Sequence, residues 1–275
     1  MAYKRVLTVQ DISCVGQCSM TVAMPILSAC GQETCILPTA VLSTHTGGFG
    51  KPEVIHLTDA ADAMWRHWRR CGIAFDAVLV GYLGSVEAIN MVQQLLEEMV
   101  APEGIVIIDP AMADHGRRYS GLDEAYAQAM RQLCRRADIL MPNITEAAIL
   151  TGLDYREILE ENYVNALLCG MDVPNVVLTG VGITPDTTGV MVKSGEKTTH
   201  IVHQKVGEGC HGTGDIFAAC FTGSLLRGKT MEEAARLAGE FTALSIRKTI
   251  ENPAHWYGVK FETALPELIK WLETE

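Results

Sequence analysis

Short β-branched runs alternate with longer stretches of helical period along most of this chain. Val6-Leu7-Thr8-Val9 reads as a first strand. Ser19 is placed to cap a helix that runs through Met24, Ile26 and Leu27 towards Gly31. Pro25 is expected to kink or shorten that helix, because its ring removes an N–H and crowds the preceding turn. Thr34-Cys35-Ile36-Leu37 forms a second strand. Helices over 59–71, 85–100 and 122–135 then alternate with strands over 76–80, 105–108 and 138–141. Thr145 is expected to cap a short helix ending at Gly152, and another helix covers 156–169 before a strand at 175–179. Residues 189–192 and 199–202 flank Ser194-Gly195-Glu196 and read as a hairpin. Helices over 232–248 and 264–272 close the pattern. Strands alternating with helices imply right-handed βαβ units, hence an α/β fold with a mostly parallel sheet.

The periodicity lapses between Thr39 and Thr58, a segment that holds Gly47, Gly48 and Gly50. Long irregular segments in compact domains are usually functional or mobile, so a lid is expected near 39–58. No repeat, low-complexity tract or Pro/Gly/Ser linker interrupts the 275 residues, and a single domain over 1–275 is the economical reading.

Composition narrows the function. With 48% hydrophobic residues the chain can bury a large core, and its net charge of −11 argues against a nucleic-acid partner, since phosphate backbones are held by clustered Lys and Arg. No apolar stretch approaches the ~18 residues that cross a membrane. The apolar run after Met1-Ala2-Tyr3-Lys4-Arg5 is too short for a secretion signal. A cytoplasmic protein without a membrane partner is expected. The nine scattered cysteines form no C-x-x-C pair and read as small core residues of a reducing compartment. Cys210, beside a glycine turn, is the one candidate for reactivity.

That turn is the strongest local signal. Gly209-Cys210-His211-Gly212-Thr213-Gly214-Asp215 runs into the apolar stretch Ile216-Phe217-Ala218-Ala219. A glycine turn opening a helix leaves several N–H groups unpaired at the positive end of the helix dipole, where an anion binds. A carboxylate in that first turn would repel a resting phosphate, so Asp215 suits a second task such as taking a proton. It equally suits an ordinary acidic helix start, and the stretch alone leaves both readings open. In open α/β sheets, ligands lie beyond the carboxyl ends of strands. Polar residues follow nearly every strand here: Gln10-Asp11, Gly81-Tyr82, Asp109-Pro110, Asn143 with Glu146, and Thr179-Gly180. Asp109 and Glu146 are candidates for holding Mg²⁺ through waters, since that ion prefers hard oxygen ligands and keeps its hydration.

No G-x-x-x-x-G-K-[ST] motif occurs, which excludes a P-loop. Gly207-Glu208-Gly209-Cys210-His211-Gly212 matches G-x-G-x-x-G. However, no strand with an acidic ribose-binding end follows, so a dinucleotide-dependent dehydrogenase is excluded.

These residues, taken together, resemble the ribokinase-like superfamily, and within it the pyridoxal (vitamin B6) kinase family. Gly212-Thr213-Gly214-Asp215, Pro142-Asn143-x-x-Glu146 and Asp109-Pro110-Ala111-Met112 carry the superfamily likeness. Thr44-His45-Thr46-Gly47 is similar to that family's Asn-His-Thr-Gly, and Gly81-Tyr82-Leu83-Gly84 to its Gly-Tyr-Leu-Gly. The resemblance implies a three-layer α/β/α fold with a small lid, and ATP-dependent phosphorylation of a hydroxymethyl group. It makes Asp215 the base and the Gly212, Thr213 and Gly214 amides an anion hole. Asp109 and Glu146 would act on Mg²⁺, and Asn143 and Thr179 would lie near the nucleotide. Asp11, His45, Thr46 and Tyr82 would face a B6 vitamer. The resemblance also implies a homodimer and a response to K⁺. Two departures bear on the acceptor. Gln10-Asp11-Ile12-Ser13 stands where the family has Gln-Ser-His, and Thr44 replaces its Asn. An acidic residue in this place is similar to the sugar and hydroxymethylpyrimidine kinases of the superfamily, which keeps those acceptors open. A catalytically inactive nucleotide-binding relative is a further alternative. The hydroxymethylpyrimidine kinases typically end the glycine turn in Cys rather than Asp.

Overall fold

A computed structural model of the chain describes residues 3–184, 186–207, 210–252 and 254–273. β1 (Arg5–Ser13) leads into α1 (Met20–Ala29) and β2 (Glu33–Leu42). A short β3 (Val54–His56) precedes α2 (Thr58–Arg70), β4 (Phe75–Val80), α3 (Val86–Met99) and β5 (Val100–Ile108). A small hairpin follows, β6 (Ala113–Asp114) and β7 (Arg117–Arg118), then α4 (Glu124–Cys134), β8 (Ile139–Leu140), α5 (Ile144–Thr151) and α6 (Glu161–Gly170). The chain continues through β9 (Asn175–Thr179), β10 (Thr187–Ser194), β11 (Lys197–Gln204), α7 (Thr213–Leu226), α8 (Met231–Ile250) and α9 (Leu265–Glu273).

Nine strands form one sheet in the order β11-β10-β9-β8-β5-β4-β1-β2-β3. The six from β2 to β9 are parallel, and antiparallel strands finish both edges. Helices cover both faces, because alternate side chains of each strand point to opposite sides. Leu7 and Val9 of β1 join a core with Trp65, Leu95, Tyr126 and Leu167 from the helices α2 to α6. Val6 joins the opposite core with Ile26, Phe221, Phe241 and Leu268 from α1, α7, α8 and α9. Each such side chain, fully buried, stabilises the fold by about 1.5–3 kcal/mol. The mostly parallel α/β sheet expected from the alternation, and the three layers that the resemblance implies, are what the chain adopts.

Local readings differ in instructive places. α1 runs through Pro25 without breaking. Ser19 stands at its N-cap position but makes no side-chain cap bond. The cap of α5 is Asn143, not Thr145: Asn143 accepts from the Glu146 N–H while the Glu146 carboxylate accepts from the Asn143 N–H. Thr145 instead accepts from the Gly116 N–H at 3.0 Å. The segment expected to be irregular is partly sheet. β2 extends to Leu42 and β3 returns beside it, pairing Leu42 with Val54, so only residues 43–53 form a loop. Glu208 and Gly209 of the glycine turn lie outside the described residues.

Candidate active site

β1 has β2 on one side and β4 on the other, so the connections leave it in opposite directions and a crevice opens beyond its carboxyl end. A narrow pocket lies there, lined by Gln10, Gly81, Asp109 and Asp215 among others. A Cβ at Gly81 would run into the Gln10 carboxamide, which donates to Thr8 Oγ1 at 2.7 Å, and would push that side chain aside. The pairing of β1 with β2 shifts register between Gln10 and Ile12. Asp11 sits at this irregularity and is only 3% exposed. Ser13 Oγ donates to its carboxylate at 3.2 Å, and the Ser19 side chain lies beside it. Burial pushes the Asp11 carboxyl up.

From the other side the amino end of α7 points into the crevice. Gly212 at its N-cap adopts φ 85°, and a Cβ there would strike the Gln17 carbonyl, so only glycine fits. The Thr213 hydroxyl donates to the Cys210 carbonyl at 3.2 Å and secures the turn. Asp215 lies in the first turn of α7, and its Oδ2 accepts from the Ser19 backbone N–H at 2.9 Å. Burial raises its carboxyl to about 7, with the Asp11 charge adding to that and the Ser19 hydrogen bond opposing it. Asp109, at the end of β5, faces the same turn; a Cβ on Gly214 would stand 4.0 Å from its Oδ2. Burial first, then the charges of Glu146 and Asp215, hold the Asp109 carboxyl well above the ordinary range.

Glu146 is 2% exposed and wholly engaged by backbone. It accepts from Met112 N–H at 3.0 Å, Ala113 N–H at 3.4 Å and Asn143 N–H at 2.9 Å. It thereby fastens the segment after Asp109 to the start of α5, and burial raises its own carboxyl to about 7. Asn143 adds a bond from Nδ2 to the Ala113 carbonyl at 2.8 Å. Thr179 closes the row, with its N–H and hydroxyl donating to the Pro142 carbonyl at 2.9 and 3.3 Å.

The loop over 43–53 rests on the far side of the glycine turn. His45 is 5% exposed; its Nδ1 accepts from Gly47 N–H at 3.0 Å, so Nε2 carries the hydrogen and donates to the Tyr257 carbonyl at 2.7 Å. Its ring lies 5.0 Å from those of Phe49 and His211, and Phe49 lies 4.7 Å from Trp256. Burial and the nearby His45 lower the His211 pKa. Thr46 is exposed on the loop, and Tyr82 lies half-buried with its ring 6.4 Å from that of Tyr119.

The structure thus gathers Asp11, Tyr82, Asp109, Glu146, Asp215 and the turn 212–214 around the crevice, with Asn143 and Thr179 extending from it along β8 and β9. His45 is engaged within the 43–53 loop and against residue 257. Cys210 is partly buried, and burial pushes its thiol up, the reverse of an activated nucleophile. Three features escaped the pattern reading: the Ser19 amide, the β6–β7 hairpin with Tyr119, and the Phe49–Trp256–Tyr257 cluster. Asp114-His115-Gly116 carries a turn signal for the hairpin. Nothing in the sequence announces the Ser19 amide.

Buried carboxylates thus gather at the amino end of α7, over the switch point of a mostly parallel sheet. The sequence profile of the phosphomethylpyrimidine kinase family matches residues 29–259, and the chain belongs to that family, a family of kinases. Its sequence is 26% identical to the pyridoxine/pyridoxal/pyridoxamine kinase of Bordetella avium, over 98% of this chain and 94% of that one. The pyridoxal kinase structure from Lactobacillus plantarum superposes with a TM-score of 0.90 at 31% identity, covering 100% of this chain and 99% of that one. A Bacteroides thetaiotaomicron protein, provisionally called a phosphomethylpyrimidine kinase and crystallised with pyridoxal, gives 0.91 at 31% identity. That match covers 97% of this chain and 96% of the other.

Proposed function

We propose that this chain transfers the terminal phosphoryl group of ATP to the 5′-hydroxymethyl group of pyridoxal, pyridoxine or pyridoxamine. The observation that carries the reading is Asp215. Its buried carboxyl, raised to about 7, stands beside the open amides of α7 and faces the crevice shared with Asp109. A general base works best when its pKa lies near the working pH, and Asp215 is much closer to that than a free Asp. It orients the acceptor hydroxyl and takes its proton late, as a loose phosphoryl-transfer transition state demands. The Gly212, Thr213 and Gly214 amides hold the oxygens of the moving group. Tyr82 and the lid residue Thr46 bound the acceptor's ring, and His45 keeps the lid seated. Asn143 and Thr179 lie on the nucleotide side.

Asp109 fits a divalent cation: its carboxylate is desolvated and repelled by two others, a strain that a bound cation would relieve. Both oxygens of Glu146 are taken by backbone N–H groups, so Glu146 would reach Mg²⁺ only through water while fixing the Asp109 segment. When bound, Mg²⁺ neutralises charge on the phosphates.

The family profile favours a second reading, in which hydroxymethylpyrimidine is the acceptor. A panel of the three B6 vitamers, hydroxymethylpyrimidine and a sugar, assayed with ATP and Mg²⁺, separates them. The B6 reading expects the highest kcat/KM on a B6 vitamer and loss of turnover on chelation of Mg²⁺. A higher kcat/KM on the pyrimidine would overturn it.

A further inference from the structure

Ser19 combines an unusual backbone with an unusual position. It is one of two non-glycine residues with positive φ among the described residues, at φ 54° and ψ −126°. The other, His115, lies in the exposed turn of the β6–β7 hairpin, where a tight turn requires it. Ser19 is 7% exposed and stands where β1 has been left and α1 has not begun. Left-handed backbone at a residue with a side chain is strained and persists only where surrounding contacts dictate it.

Those contacts clamp a single peptide unit. The Cys18 carbonyl accepts from Thr21 Oγ1 at 2.9 Å, and the Ser19 N–H of the same unit donates to Asp215 Oδ2 at 2.9 Å. The Ser19 carbonyl accepts from the Val22 and Ala23 N–H groups and starts α1. The Ser19 hydroxyl turns the other way, to Asp11. With the usual negative φ the peptide plane would rotate, and its N–H would leave the carboxylate.

We propose that Ser19 is a positioning residue for Asp215: its backbone N–H occupies Oδ2 and leaves Oδ1 as the oxygen that meets the acceptor hydroxyl. This deepens the function proposed above and rests on Asp215 being the base. The strained backbone aims the amide, and Thr21 holds the unit against rotation. A rotated peptide leaves Asp215 free to turn about its side-chain bonds, and misplacement on the order of 1 Å is enough to slow an enzyme up to about a hundredfold.

The test compares Ser19→Val, whose branched side chain resists positive φ, with Ser19→Gly, which adopts it freely, and Thr21→Val, which frees the Cys18 carbonyl. Ser19→Val should lose kcat on the order of tenfold to a hundredfold with the KM for ATP and acceptor little changed. Thr21→Val should shift kcat in the same direction by less, and Ser19→Gly should restore it. In an Asp215→Asn background, Ser19→Val should cost nothing further. The Ser19 amide proton, followed by NMR in the otherwise intact protein, should lose its hydrogen-bonded shift in Asp215→Ala and in Ser19→Val but keep it in Ser19→Gly. A Ser19→Val enzyme with full kcat beside a disabled Asp215→Asn enzyme would overturn the positioning role alone. A Ser19→Gly enzyme as slow as Ser19→Val would also overturn it, since the hydroxyl would then be the working group. Wild-type turnover in Asp215→Asn would instead remove the base assignment, and this proposal with it.

Discussion

Replacing Asp215 with Asn should abolish most turnover and yet make the protein more stable above neutral pH. The carboxyl lies near about 7 in the folded chain against 3.8 in its ordinary state. Between those values the folded protein holds a proton that the unfolded chain has released. Stability from this group is therefore full below pH 3.8 and falls as pH rises to about 7, then stays flat. Each pH unit in that window costs about 1.4 kcal/mol, so from pH 5 to pH 8 the group costs up to about 3 kcal/mol. Asn has no such dependence and keeps an oxygen for the Ser19 N–H. Its advantage over Asp should thus grow by about 2–3 kcal/mol over that span, which at ~2–4 °C per kcal/mol is about 5–10 °C in Tm. Thermal unfolding of both proteins at pH 5, 6, 7 and 8 without Mg²⁺ or nucleotide measures the difference directly, and kcat is taken on the same preparations. A Tm difference that stays constant from pH 5 to pH 8 would refute the reasoning about the buried carboxyl. Wild-type kcat would refute the reasoning about the base.

Glu146 and His45 give independent checks on the scaffold around the site. In Glu146→Gln an amide nitrogen must face a backbone N–H of Met112, Ala113 or Asn143, which should cost about 2–4 kcal/mol and lower Tm accordingly; an unchanged Tm would show that these bonds do not hold the Asp109 segment. His45→Ala leaves the Gly47 N–H and the Tyr257 carbonyl without their shared ring, so the lid should seat poorly. ATP hydrolysis without acceptor should then rise and acceptor kcat/KM fall by on the order of tenfold, whereas unchanged values for both would place His45 outside lid closure.

Much of this arrangement was legible in the chain because it depends on local chemistry. β-branched runs mark the strands, and the polar residues just after them had to fall at one edge of the sheet. Asp109, Asn143 and Thr179 therefore fall at the same edge, which the amino end of α7 with Asp215 also faces. Asn143 and Thr145 can both cap a helix, and the Asn-x-x-Glu spacing of a capping box favoured the former. The strand end 39–42 and its partner 54–56 were hidden because Val54 and Ile55 are exposed edge residues and show no buried alternation. The Ser19 amide was beyond any pattern, since its direction is set by a dihedral angle that Asp215, 196 positions away, helps to fix.

β2 belongs to two neighbourhoods at once. It lies beside β1 from Glu33 opposite Arg5 to Leu42 opposite Ser13, with one register shift after Pro38, and its last residues pair with β3 as well. The segment expected to be a lid is therefore rooted in the sheet through β2 and β3, and only its tip, residues 43–53, is irregular. Such a build separates two adjustable quantities. Changing the length or composition of the tip should alter which acceptor fits the proposed site, while the pairing of β2 with β1 that flanks Asp11 is kept. Exchanging residues 43–53 between relatives, with the His45 and Gly47 contacts to His211 kept, should consequently change acceptor choice more than phosphoryl transfer.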